Sequence, residues 1–109
     1  TGQQIALDQS VTAVYCANDE MAFGLIRALQ EAGRRVPEDV SVVGFDGIEL
    51  SEFSSPPLTT VKQDFHQIGQ ELVRLLLEQL RSPAARTGGR VLIPTELIVR
   101  GTTAPPPVR

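Results

Sequence analysis

Two polar residues stand where apolar runs give out, and their side chains suit the recognition of hydroxyl groups. Val11 to Ala17 (VTAVYCA) is a nearly continuous apolar run closed by Asn18, and Val40 to Phe45 (VSVVGF) is a second, closed by Asp46. An amide donates and accepts hydrogen bonds and a carboxylate accepts them, the mixture that sugar diols require. Ligands of open parallel sheets bind just beyond the carboxyl ends of the strands, so the two side chains would converge on one crevice. Each also has a plainer reading. Asn18, with Asp19 and Glu20, suits a helix start, and Asp46 before Gly47 suits a turn. Other chemistry finds little material. Cys16 lies inside the first run with no histidine near it in sequence, which describes a structural thiol rather than a nucleophile. His66 is the only histidine and falls in the first turn of a predicted helix; one cysteine and one histidine make no zinc site. Gly44 and Gly47 follow no phosphate-loop spacing, and Glu38-Asp39 reads as a solvated turn. The chain is therefore predicted to bind rather than catalyse, with no catalytic residue, metal or cofactor.

The elements that would position these residues follow from periodicity. The run from Val11 to Ala17 is rich in β-branched residues and reads as a strand buried on both faces. Met21, Ala22, Leu25, Ile26, Leu29 and Ala32 then recur at helical spacing, with Gly33 as the stop. Val36 to Asp39 connects to the second strand, Val40 to Phe45. Strand, helix, strand is a βαβ unit with a right-handed crossover, so the predicted class is α/β with a parallel sheet. Residues 47–57 are expected to form a loop, and Leu58 to Val61 a short strand. Asp64 caps a long helix, with Gln67 three positions on. The apolar stripe of that helix is Phe65, Ile68, Leu72, Val73, Leu75, Leu76 and Leu80, a face that must bury against something. Ser82 to Gly89 reads as a loop. Arg90 to Arg100 reads as an extended segment broken by Pro94, either two short strands or an edge strand. The tail from Thr102 to Arg109, with its three prolines in a row, is expected to be extended or disordered.

Composition narrows the partners. The chain has 109 residues, 41% of them hydrophobic and 21% charged, as in an ordinary globular domain. A net charge of −3 with scattered basic residues offers no footprint for a phosphate backbone, so nucleic-acid contact within this chain is not expected. No apolar run approaches the roughly 20 residues that cross a bilayer. One cysteine excludes an internal disulfide framework and is compatible with a reducing cytoplasm. The first residue is Thr1, and the missing initiator methionine points to a fragment or a processed product.

Several phrases, taken in order, carry a family likeness: Thr12-Ala13-Val14 through Asn18-Asp19-Glu20-Met21-Ala22; Gly33 followed by Val36-Pro37-Glu38-Asp39-Val40-Ser41-Val42-Val43-Gly44-Phe45-Asp46; Pro57-Leu58-Thr59-Thr60-Val61; and Leu97 to Thr102. At these separations they resemble the effector-binding region of the LacI/GalR family of bacterial transcriptional repressors, from about Val11 to Thr103.

The resemblance implies a type I periplasmic-binding-protein-like fold, two α/β subdomains with the ligand in the cleft between them, preceded by a helix-turn-helix headpiece that this chain lacks. By that template residues 1–57 belong to the C-terminal subdomain. Residues 58–89 are a crossover strand and helix of the N-terminal subdomain, and residues 90–109 are return strands with a proline-rich tail. Asn18, Asp46, Gln63 and Phe65 match family positions that line the effector pocket, while Asp19 reads as structural. On the residues alone, Gln63 reads as solvated and Phe65 as part of the helix stripe. The implied ligand is a sugar or nucleoside-like effector, the implied location the cytoplasm, and DNA is reached only through the absent headpiece. Many relatives carry an acid where Gly47 stands. The loop from Ile48 to Ser55, with Phe23, Arg27 and Phe53, resembles family dimer-contact regions. The exposed helix stripe predicts a homodimer or an element-exchanged oligomer. A sugar-binding protein of a transport system is the alternative.

Overall fold

The computed structural model describes residues 1–82 and 89–108, in two compact units, Thr1–Lys62 with Glu96–Arg109 and Gln63–Thr95. The loop expected over residues 82–89 falls mainly on residues outside the described ones.

The first unit is a four-stranded sheet in the order β1-β2-β3-β4, with β1 spanning Ala13–Tyr15, β2 Ser41–Asp46, β3 Thr59–Lys62 and β4 Glu96–Ile98. β1, β2 and β3 run parallel and β4 closes the sheet as an antiparallel edge. The parallel α/β class expected from the sequence is present, and Arg90 to Arg100 resolves to one edge strand after Pro94. Helix α1 (Gly2–Leu7) packs on α2 (Asp19–Glu31), which packs on β2. The core between them holds Ala6, Cys16, Ala22, Leu25, Ile26, Leu29, Val36, Val40, Val42 and Leu58. α2 presents Ala22, Leu25, Ile26 and Leu29 at helical spacing and ends where Gly33 turns to φ 75°. β3, grouped by the family template with the helix that follows it, is hydrogen-bonded to β2.

Three expectations are corrected. β1 is not buried on both faces: it lies at the edge of the sheet, and Ala13 and Tyr15 are exposed while Val14 packs against the core. An apolar run reports that a strand can be covered twice, not that both covers are present. Within the loop expected over residues 47–57, a short helix α3 (Leu50–Phe53) forms and buries Ser51. The tail is ordered at its start. The Val42 N–H donates to the Thr102 carbonyl at 2.8 Å, and Thr102 Oγ1 donates to the Val42 carbonyl at 2.6 Å while accepting from the Thr59 N–H at 2.9 Å. Those bonds satisfy buried backbone groups where β2 and β3 begin, which a proline-rich composition conceals.

Arg34 ties the sequence start to this unit. Its guanidinium is buried and donates to the carbonyls of Ile5, Asp8 and Val11 at 3.3, 2.8 and 2.6 Å, so a cation closes the C-terminal end of α1. The second unit contains α4 (Phe65–Arg81), capped by Asp64, whose Oδ1 accepts from the Gln67 N–H at 2.9 Å. None of its side chains is buried.

Candidate functional site

The carboxyl edge of the parallel strands carries the two residues singled out by the sequence. Tyr15 pairs with Val43, and the Cys16 N–H donates to the Val43 carbonyl at 2.8 Å. β1 and β2 therefore leave the sheet at the same end, with Asn18 and Asp46 each three residues beyond the Tyr15–Val43 pair. Asn18 is the N-cap of α2: its Oδ1 accepts from the Met21 N–H at 2.8 Å. The capping reading is correct, and it leaves the amide nitrogen as the group able to meet a ligand. Asp46 closes β2 with φ 111°, a conformation that a non-glycine residue adopts at a cost of about 1–3 kcal/mol and that clusters at ligand sites. Gly47 follows at φ 71°.

A buried carboxylate holds this edge together. Asp19, fully buried at the start of α2, accepts from Ser51 Oγ at 2.6 Å, from Thr60 Oγ1 at 2.6 Å and from the Ile48 N–H at 2.9 Å. One side chain thus joins α2 to α3, to β3 and to the turn after Asp46. Gly44 makes room for it, since a Cβ there would collide with Asp19 Oδ1 and lie 2.9 Å from Leu58 Cδ2. Asp19 is structural, as the sequence implied. Its partners Ser51 and Thr60 were missed, because an acid in a first helical turn already has a sufficient reason in the helix dipole.

Lys62 is the register partner of Asp46 on one side and of Glu96 on the other, and lies under Gly47. Gln63 and Phe65 belong to the second unit. Gln63 is half-buried, and Phe65 is exposed at the first position of α4, along a face it shares with Gly69, Val73 and Leu77. Phe53 is exposed and Phe23 half-buried, and Phe23 lines a shallow groove with Ile26, Leu50 and Pro56.

Electrostatics elsewhere are local. The Arg35 side chain and backbone N–H hold the Asp39 carboxyl down to about 2. Burial pushes the Cys16 thiol up, which disfavours the reactive thiolate. Among the described residues no group of three or more His, Cys, Asp or Glu side chains is placed to hold a metal ion. Nor is any helix among them long and apolar enough to cross a membrane.

Residues 2–103 match the model of the periplasmic binding protein-like domain. The chain belongs to that family. This family member is 45% identical over 101 residues to the HTH-type transcriptional repressor CytR of Escherichia coli K12, covering 93% of this chain and 29% of CytR. A crystal structure of a LacI family transcriptional regulator from Enterococcus faecalis V583 with bound ribose superposes with a TM-score of 0.84 at 44% identity, over 95% of this chain and 40% of that one. The lac repressor dimer bound to operator and the anti-inducer ONPF gives a TM-score of 0.81 at 47% identity, over 94% of this chain and 35% of that one. The likeness to LacI-type repressors that the motifs suggested thus extends over nearly the whole chain. The periplasmic binding protein-like chain itself spans less than a third of CytR's length.

Proposed function

We propose that this chain is part of the effector-sensing domain of a LacI/GalR-type transcriptional regulator in the cytoplasm, binding a sugar or nucleoside-like molecule and not acting as an enzyme. The observation that carries this reading is that Asn18 and Asp46 both follow the carboxyl ends of adjacent parallel strands, each three residues beyond the Tyr15–Val43 pair, with Asp46 held in a strained backbone. The Asn18 amide donates to a ligand oxygen, and the Asp46 carboxylate accepts from ligand hydroxyls. Gln63 and Phe65 are proposed as further ligand contacts on their match to the family pattern alone. DNA binding belongs to a helix-turn-helix domain outside this chain, and effector binding changes its affinity for DNA by favouring one of two states. Similarity to a regulator with bound ribose supports a polyol as the ligand class.

Calorimetric titration of the full-length protein with ribose, a hexose and a nucleoside tests the reading. One of them is expected to bind, and Asp46→Ala is expected to weaken it by about tenfold or more, since ligand hydroxyls lose their acceptor. Unchanged affinity in that variant removes Asp46 from the site.

Self-association is proposed on separate grounds. Phe65, Leu72, Val73, Leu76, Leu77 and Leu80 of α4 are between 43% and 68% exposed, and such a face on a 109-residue chain favours association. Light scattering of the isolated chain is expected to show a dimer or larger species, and Leu72→Lys with Leu76→Lys to disperse it. A stable, cooperatively folding monomer of the unmutated chain is the contrary result.

A further inference from the structure

We propose that Ser51 is a positioning residue of the effector crevice, acting through a closed ring of hydrogen bonds that fixes where the Asp46 carboxylate stands. This rests on the crevice reading above and goes beyond it by naming what holds the site in shape before a ligand arrives. The β2–β3 ladder ends at the Asp46–Lys62 pair, so the backbone beyond it needs another support. That backbone is strained at Asp46, with φ 111°, and Gly47 follows at φ 71°. A non-glycine residue stays in such a conformation only where its surroundings over-determine it.

The bonds that do so close on themselves. The Ile48 N–H donates to Asp19 Oδ2 at 2.9 Å, the Ser51 N–H donates to the Ile48 carbonyl at 3.0 Å, and Ser51 Oγ donates back to Asp19 Oδ2 at 2.6 Å. Both backbone polar groups of Ile48, two residues after Asp46, are thereby held, which leaves the turn few ways to relax. Asp19 and Ser51 are fully buried, so water does not compete for these bonds. Ser51 is anchored from its far side as well, where its carbonyl accepts from the Leu58 N–H at 2.8 Å and from Ser54 Oγ at 3.1 Å. Asn18 immediately precedes Asp19, so the ring refers both proposed ligand residues to one carboxylate.

The other oxygen of Asp19 serves a different element. Oδ1 accepts from Thr60 Oγ1 at 2.6 Å, and β3 is paired on both sides, to β2 and to β4. A strand held by two ladders keeps its place when one hydroxyl is lost, whereas the turn after Asp46 depends on the ring. Ser51 and Thr60 thus share a carboxylate and differ in what they position. A ligand that meets Asp46 only in the held conformation loses apparent affinity in proportion to the molecules in which the ring has opened.

Calorimetric titration of the full-length protein with ribose, glucose and adenosine, the tightest binder carrying the comparison, tests this. Ser51→Ala is expected to raise Kd about fivefold, the equivalent of one lost hydrogen bond. In an Asp46→Ala background the same substitution is expected to change Kd by less than about twofold, because a residue acting through Asp46 has nothing left to position. Thr60→Val is expected to lower the urea midpoint as Ser51→Ala does, yet to change Kd by less than about twofold. Where Ser51→Ala does not fold, Ser51→Cys, of similar size and a weaker donor, takes its place with the same expected order. An unchanged Kd in the Ser51 variant beside a weakened Asp46→Ala leaves the crevice standing and overturns the role of Ser51. An equal rise in Kd from Thr60→Val, or from Ser51→Ala with Asp46 already removed, overturns it too. If none of the three probes binds, the crevice reading falls and this proposal with it.

Discussion

Helices α2 and α4 are written in the same language and meet different surroundings. Each has an amide or carboxylate cap accepting from the N–H three residues on, at 2.8 Å for Asn18 and 2.9 Å for Asp64. Each carries apolar residues at helical spacing. α2 buries Ala22, Leu25, Ile26 and Leu29, whereas α4 buries none. Amphipathic periodicity thus specifies a helix and the side it offers, and says nothing about what covers that side. α2 has one device that α4 lacks among the described residues: Asp19 at its first position, hydrogen-bonded to α3, β3 and the turn between β2 and α3.

The largest expected effect tests that device. Asp19→Ala leaves the Ser51 and Thr60 hydroxyls and the Ile48 N–H unpartnered in a buried place, and is expected to lower stability by about 4 kcal/mol in urea unfolding. A loss below about 1 kcal/mol would show that the carboxylate does not organise this edge. Next comes the direct contrast of the helix faces. Leu29→Ala, at a fully buried position of α2, is expected to cost about 3 kcal/mol. In the isolated chain at concentrations where it is monomeric, Leu76→Ala on α4 is expected to cost less than about 0.5 kcal/mol. Equal losses would overturn the distinction between a covered and an uncovered face.

The caps sharpen the comparison. Asn18→Ala and Asp64→Ala are each expected to cost about 1 kcal/mol, because capping satisfies an N–H locally whatever lies beyond the helix. The smallest effect is electrostatic. The Asp39 carboxyl titrates near 2, below its ordinary value of 3.8, so its pairing with Arg35 favours the folded state above that ordinary value. This contribution fades as pH falls through about 2. Asp39→Asn is expected to flatten the stability profile across that acid window and to leave its shape at neutral pH unchanged.

Much of the candidate site was legible. The places of Asn18 and Asp46 at the strand ends were legible because a strand that ends in a polar residue announces its carboxyl edge, and parallel strands put such edges together. Ser51 and Thr60 were not found. Ser51 sits in a segment with loop composition, and Thr60 in a strand where threonine needs no special reason. Their roles come from contacts between elements, which no local pattern encodes.

Local physics in the chain sufficed for the order of the strands and the two long helices, the two capped helix starts, the turn at Gly33 and the polar residues at the strand ends. These depend on periodicity and on hydrogen bonds made within a few residues. Tertiary structure alone decided that β1 has a bare face, that Thr102 seals the start of β2, and that Asp19 joins three elements. Each of those outcomes rests on which surfaces meet, and burial is a property of the neighbour as much as of the residue.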